Sequence, residues 1–251
     1  MPHSVFLAKP GIRVLAHRGL ATNAPENTLL AFLTALSAGA THLETDVHAS
    51  LDGVAVISHG PDLARLGRDV RIDQLTVTEL KHVRLGSGQF VPSLAEALDA
   101  FPEALFNIDI KADAAVTPTV QAIVAARATP RVLITSFSES RRRRAVELLP
   151  GVASSASSAG VLKAVLAATL APRGVLRHAL AGLAVVQVPE KSGALRIVTP
   201  RFVRAMHSAG VEVHVWTVNE LAAMERLLAW GVDGLITDRT DLATALISRR
   251  T

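Results

Sequence analysis

Residues 43–47 read Leu43-Glu44-Thr45-Asp46-Val47. The stretch has the character of a buried strand, yet it places two carboxylates two residues apart. Side chains alternate across a strand, so Glu44 and Asp46 project from one face. Two adjacent acids on an apolar strand repel each other and are costly to desolvate unless something positive lies between them. A divalent metal is the simplest such partner, because oxygen-rich sites suit magnesium, calcium or manganese. The plain alternative is an acidic pair at a strand end, facing water.

The flanking sequence argues against that alternative. Upstream, Ile12-Arg13-Val14-Leu15-Ala16 runs directly into His17-Arg18-Gly19. Downstream, Val54-Ala55-Val56-Ile57-Ser58-His59 is a short apolar run ending in a histidine. In Leu105-Phe106-Asn107-Ile108-Asp109-Ile110-Lys111, the polar residues Asn107, Asp109 and Lys111 share one face. Phe106, Ile108 and Ile110 share the other. Reactive side chains therefore gather at the C-terminal ends of several strands.

The same alternation extends along the chain. Strands are expected at Ile12–Ala16, His42–Val47, Leu105–Ile110, Val132–Ser136, Gly151–Ser155, Leu183–Val188, Val211–Trp216 and Gly234–Thr237. Helices are expected between and after them, at Thr28–Ala38, Leu94–Phe101, Ala115–Arg127, Glu139–Leu148, Gly160–Leu170, Pro200–Ser208, Leu221–Ala229 and Thr240–Arg249. Eight such pairs in 251 residues predict an α/β fold, a (β/α)8 TIM barrel. Residues 1–251 read as a single barrel domain with a small insertion after the second strand, about 60–92, which leaves from His59 and lies over the mouth. An open doubly wound sheet ranks below it, because His17-Arg18-Gly19-Leu20 lacks a glycine-rich nucleotide loop.

Composition narrows the function classes. Apolar residues make up 49% of the chain, enough for a sizeable core. Cysteine is absent, which excludes disulfides, thiolate metal sites and a cysteine nucleophile, and fits a reducing, cytoplasmic setting. Met1 to Lys9 shows no secretory hydrophobic core. Lys163, Pro172, Arg173, Arg177 and His178 interrupt the Ala/Val/Leu-rich stretch from Val161 to Val188, so no membrane span is expected. The net charge of +4 leans toward anionic substrates and calls for no nucleic acid. Arg141 to Arg144 read as a solvated helix segment whose charges point in different directions. Composition fixes no oligomeric state.

Two histidines, three carboxylates, an arginine and a lysine suit metal-assisted chemistry on an anion. The chain resembles the glycerophosphodiester phosphodiesterase family. The resemblance is carried by His17-Arg18-Gly19, Ala24-Pro25-Glu26-Asn27-Thr28, Leu43-Glu44-Thr45-Asp46-Val47, the His59 region, Asn107-Ile108-Asp109-Ile110-Lys111, Val215-Trp216-Thr217-Val218-Asn219 and Gly234-Leu235-Ile236-Thr237-Asp238-Arg239, in the family's order. It implies a (β/α)8 barrel that hydrolyses small glycerophosphodiesters to glycerol 3-phosphate and an alcohol with one divalent metal ion, magnesium or calcium. It also implies His17 and His59 as the acid/base pair and Glu44, Asp46 and Asp109 as metal ligands. Arg18, Lys111 and Trp216 would then bind substrate. The chain departs from the family at Asp109, where glutamate is usual, and at Gly60, where aspartate is usual. Leu63 to Arg71 also lacks the family's paired threonines.

Blander readings stand beside these. Trp216 also suits simple packing at the barrel top. Glu26 and Asn27 are expected to orient Arg18 or to cap the first helix. Asp238 reads as the N-cap of the last helix, with Asp241 three residues on. His214 reads as a core histidine, and His3, His42, His48, His82, His178 and His207 show no ligand spacing. Rival functions are a sphingomyelinase D-like or phosphatidylinositol phospholipase-like enzyme on the same barrel, and a non-catalytic anion-binding barrel. With 4% aromatic residues, lipid-interface action is the poorer fit.

Overall fold

The computed structural model of the chain describes residues 4–8, 10–170, 173–193 and 195–250. Met1 to His3, Lys9 and Pro172, which enter the sequence expectations, lie outside the described residues. Among those described, eight parallel strands form the barrel wall: β1 (Arg13–His17), β2 (His42–Ala49), β3 (Phe106–Ile110), β4 (Val132–Thr135), β5 (Ala153–Ser154), β6 (Val185–Pro189), β7 (Glu212–Trp216) and β8 (Gly234–Thr237). Each strand pairs with the next in sequence except β5 with β6, and β8 returns to β1. The gap between β5 and β6 closes through a bridge from Ser155 to Val185 and the bond from Ala184 N to Ser154 O, 2.9 Å. This is the predicted TIM barrel.

Alternation along the strands sorts residues into two cores. Outward-facing Leu43, Val47, Phe106, Ile108 and Ile110 pack against the helices as one buried group. Phe106 is fully buried and meets Phe32 of helix Leu29–Ser37 edge-on at 5.8 Å. Burying each such side chain contributes about 1.5–3 kcal/mol. Leu15, Leu133, Ala153, Val185 and Ile236 come from five different strands and form an inner layer. Phe6 joins that layer and meets the His42 ring edge-on at 4.5 Å.

Three details differ from the sequence expectation. The fifth strand shrinks to Ala153–Ser154, and a further helix, Arg173–Ala179, follows helix Ser158–Leu170. The arginine run in helix Glu139–Leu148 is not uniformly solvated. Arg141 folds back to donate to the carbonyls of Ile110 and Lys111 and pairs with Asp113, while Arg142 pairs with Glu139 and donates to Ser154. Both side chains satisfy groups at strand ends, which periodicity alone does not reveal.

Segment 58–92 departs from the C-terminal end of β2. Strand Ala55–Ile57 turns back antiparallel to Val47–Ala49, and Ser58 N bonds to Asp46 O at 3.0 Å, which sets His59 beside the barrel mouth. Val56, Leu63, Ile72, Leu80, Val83 and Val91 give the segment a small core of its own. Among the described residues, no helix is long and apolar enough to cross a membrane.

Candidate functional site at the barrel mouth

A cavity of about 440 Å³ opens at the C-terminal ends of the strands. It gathers all eight residues expected from the sequence: His17, Arg18, Glu44, Asp46, His59, Asp109, Lys111 and Trp216. They come from β1, β2, β3, β7 and the turns after them, which is where this fold exposes polar side chains.

The charged floor is tightly paired. Lys111 Nζ lies 2.8 Å from Asp46 Oδ1 and 2.5 Å from Asp109 Oδ2. Register explains this bridge: Asp46 and Asp109 are direct partners across β2 and β3, and Lys111 lies two residues beyond Asp109 on the same face. Arg18 Nε lies 3.1 Å from the other Asp46 oxygen. Glu44 accepts from the Arg18 backbone N–H at 3.0 Å. Glu26 takes both oxygens to Arg18 Nη1, at 3.2 and 3.1 Å, as expected for an orienting role.

Asn27 does something other than capping. It donates to Asp46 Oδ2 at 3.2 Å and accepts from Thr45 Oγ1 at 2.9 Å, while Thr28 caps the helix. Arg18 and Asn27 both hold the left-handed φ of 58° that non-glycine residues rarely adopt. A 2.8 Å bond from Asn27 N to Arg18 O ties the two together. Strain concentrated at a polar cluster is typical of functional sites. Gly19 completes the turn at φ 83°, where an added Cβ would fall 2.7 Å from the backbone of Ala31.

Electrostatics follow from burial and pairing. Burial would raise Asp46, but Lys111, Arg18 and Asn27 outweigh it and hold its pKa low. Burial raises Asp109 despite Lys111. Burial and the charge of Asp46 hold Glu44 well above the usual carboxylate range. Burial lowers Lys111, but its two carboxylates outweigh that and raise it. His59 is lowered by burial. Burial would lower His17 too, but its bond to Asp238 and the charge of Glu44 raise it.

Asp238 is the residue the sequence reading misassigned. Residue Arg239, with no side-chain cap bond, occupies the N-cap position of helix Thr240–Ser248. Asp238 instead lies 2.7 Å from His17 Nδ1. Asn219 fixes it, donating to Asp238 Oδ2 at 2.7 Å and accepting from Asp238 N at 2.9 Å. Local spacing carries no signal of this pairing, because the two residues lie 221 positions apart in the chain. Asn107, Gln187, Ser136 and Phe137 also line the cavity. Trp216 meets Phe137 edge to face at 6.0 Å. His214 lies lower in the barrel, fully buried, with Nε2 3.1 Å from Glu212.

The donor set suits a hard divalent cation. Glu44, Asp46 and Asp109 supply carboxylate oxygens from adjacent strands, and Asp109 Oδ1 is buried without a hydrogen-bond partner. With Glu44 ionised, three carboxylates would face the two cations Arg18 and Lys111, but burial and Asp46 favour its neutral form until a further cation enters. As they stand, with Lys111 between two of them, the acids form no closed ligand cluster among the described residues. A cation entering here would displace or share the place of the Lys111 ammonium.

The model of the glycerophosphoryl diester phosphodiesterase family matches residues 17–242. The chain belongs to this family. Membership makes it a phosphoric diester hydrolase. It is 42% identical over 252 residues to the "probable glycerophosphodiester phosphodiesterase 2" of Mycobacterium tuberculosis, covering 99% of this chain and 96% of that protein. A glycerophosphodiester phosphodiesterase structure from Thermotoga maritima superposes with a TM-score of 0.74 at 27% identity, covering 95% of this chain and 99% of the other. An Oleispira antarctica phosphodiesterase, in complex with the product sn-glycerol-3-phosphate, has the same fold at 23% identity, with a TM-score of 0.78 over 94% of this chain and 96% of the other.

Proposed function

We propose that this glycerophosphodiester phosphodiesterase releases glycerol 3-phosphate from small glycerophosphodiesters by metal-assisted hydrolysis, with His17 and His59 as the acid/base pair. The observation that carries this reading is the convergence of both histidines and the Glu44–Asp46–Asp109 carboxylates on one cavity. Glu44, Asp46 and Asp109 would hold one magnesium or calcium ion. When bound, the ion supplies charge stabilisation at the phosphate oxygens. Arg18 is suited to bidentate contact with the same phosphate, and Lys111 adds a point charge beside it. Glu26 limits the rotation of the Arg18 guanidinium, so less entropy is lost when phosphate binds.

One histidine takes the proton of the nucleophile, either water or the glycerol 2-hydroxyl whose cyclic phosphate water then opens, and the other returns one to the departing alcohol. Asp238 favours the His17 tautomer with the proton on Nδ1 and leaves Nε2 toward the cavity. The cysteine-free composition accords with a cytoplasmic enzyme.

The test is glycerol 3-phosphate release from glycerophosphoglycerol and glycerophosphocholine by EDTA-stripped protein given magnesium or calcium. Turnover restored by metal, with a loss of about 100-fold or more in His17→Ala and His59→Ala, is the expected result. Near wild-type turnover in both alanine variants would remove the histidine assignment. Unchanged turnover after stripping would remove the metal.

A further inference from the structure

The outer part of the cavity carries features that phosphate chemistry does not use. Beyond the charged floor its wall includes Phe137, Ile197 and Trp216, with Ser158, Ser192 and Thr217 among them. Among the described residues, none of these three hydroxyls takes up a side-chain partner. Each hydroxyl can donate one hydrogen bond and accept two.

Carboxylates near this mouth are already engaged. Glu26 holds Arg18 and Arg65, Asp113 holds Arg141, Glu190 holds Arg226, and Asp238 holds His17. The aromatic pair is no open cage for a cation either. Phe137 and Trp216 stand edge to face at 67°, and the Lys111 ammonium is already 5.6 Å from the Phe137 ring centroid. Phe137 is 58% exposed, but a cationic headgroup brought to its ring would share it with the Lys111 ammonium and be repelled. Hydroxyls interleaved with aromatic and aliphatic surface suit a molecule that offers O–H edges and C–H faces together.

We infer that the preferred diesters of this enzyme carry an uncharged polyhydroxy alcohol, such as a second glycerol or an inositol. Cationic alcohols such as choline and ethanolamine are disfavoured. The inference rests on the function proposed above for the same site. It takes the variable alcohol, rather than the glycerol common to all glycerophosphodiesters, as the arm that lies against Trp216 and the three hydroxyls.

The experiment compares kcat/KM for glycerophosphoglycerol, glycerophosphoinositol, glycerophosphocholine and glycerophosphoethanolamine, in the wild type and in Ser158→Glu. Ser158 is exposed at the first position of its helix, where an added acid is favourable, so the variant is expected to fold. The wild type should favour the two polyol diesters by about tenfold or more, mostly through KM. Ser158→Glu should raise kcat/KM for glycerophosphocholine several-fold and lower it for glycerophosphoglycerol. Equal or choline-preferring wild-type turnover overturns the inference and leaves the proposed function standing. An unchanged preference in the variant also overturns it. No cleavage of any of the four diesters would instead overturn the function on which it rests.

Discussion

Replacing Asp238 with asparagine removes one charge and keeps the shape of the side chain. The bond at stake is the 2.7 Å contact with His17 Nδ1, whose stabilising effect grows as the imidazole becomes charged. A hydrogen bond to a charged group contributes about 1.5–3 kcal/mol. The Asp238 side chain is 50% exposed, so water takes back part of that, leaving about 1–2 kcal/mol. If that energy is expressed in the transition state, kcat falls about 5- to 30-fold, at 1.36 kcal/mol for each factor of ten. KM should barely move, because Asp238 does not line the cavity. A coupled assay of glycerol 3-phosphate release measures both constants. Since the residue acts through His17, Asp238→Asn should add no further loss in a His17→Ala background. Multiplicative losses in the double variant, or a loss below about twofold in the single one, would refute the orienting role.

Two further predictions concern the folded state. Lys111→Met leaves Asp46 and Asp109, 2% and 7% exposed, without their shared cation. Removing one partner of a buried ion pair costs about 3–5 kcal/mol, or a Tm drop on the order of 10 °C for a chain of this length. Added magnesium or calcium should raise Tm more in this variant than in the wild type, and equal metal shifts would argue against the carboxylate metal site. His42 provides the pH test. Burial depresses its pKa from 6.5 to about 4. Between those values the unfolded chain binds a proton that the folded chain refuses, so stability falls as pH drops through this window. The loss reaches at most about 3 kcal/mol near pH 4. Urea unfolding between pH 7 and 4 should therefore show a shallower decline in His42→Gln, and parallel curves would exclude His42 as the source.

The sequence by itself determined the repeating order of strands and helices and the inward-facing polar positions. Both follow from local geometry: Glu44 with Asp46, and Asn107 with Asp109 and Lys111, each share a face because a strand's side chains repeat every two residues. What only the tertiary structure decided was which of these groups touch. Asp46 and Asp109 meet because β2 and β3 align in a particular register, and Lys111 then bridges them. Arg141 looks like one of four equivalent surface charges until helix Glu139–Leu148 docks and its guanidinium reaches the carbonyls at the end of β3. Asp238 shows the limit most clearly. Locally it has the spacing of a helix cap, a role any short acceptor before a helix fulfils. Barrel closure brings β8 beside β1, and that long-range pairing sets Asp238 against His17.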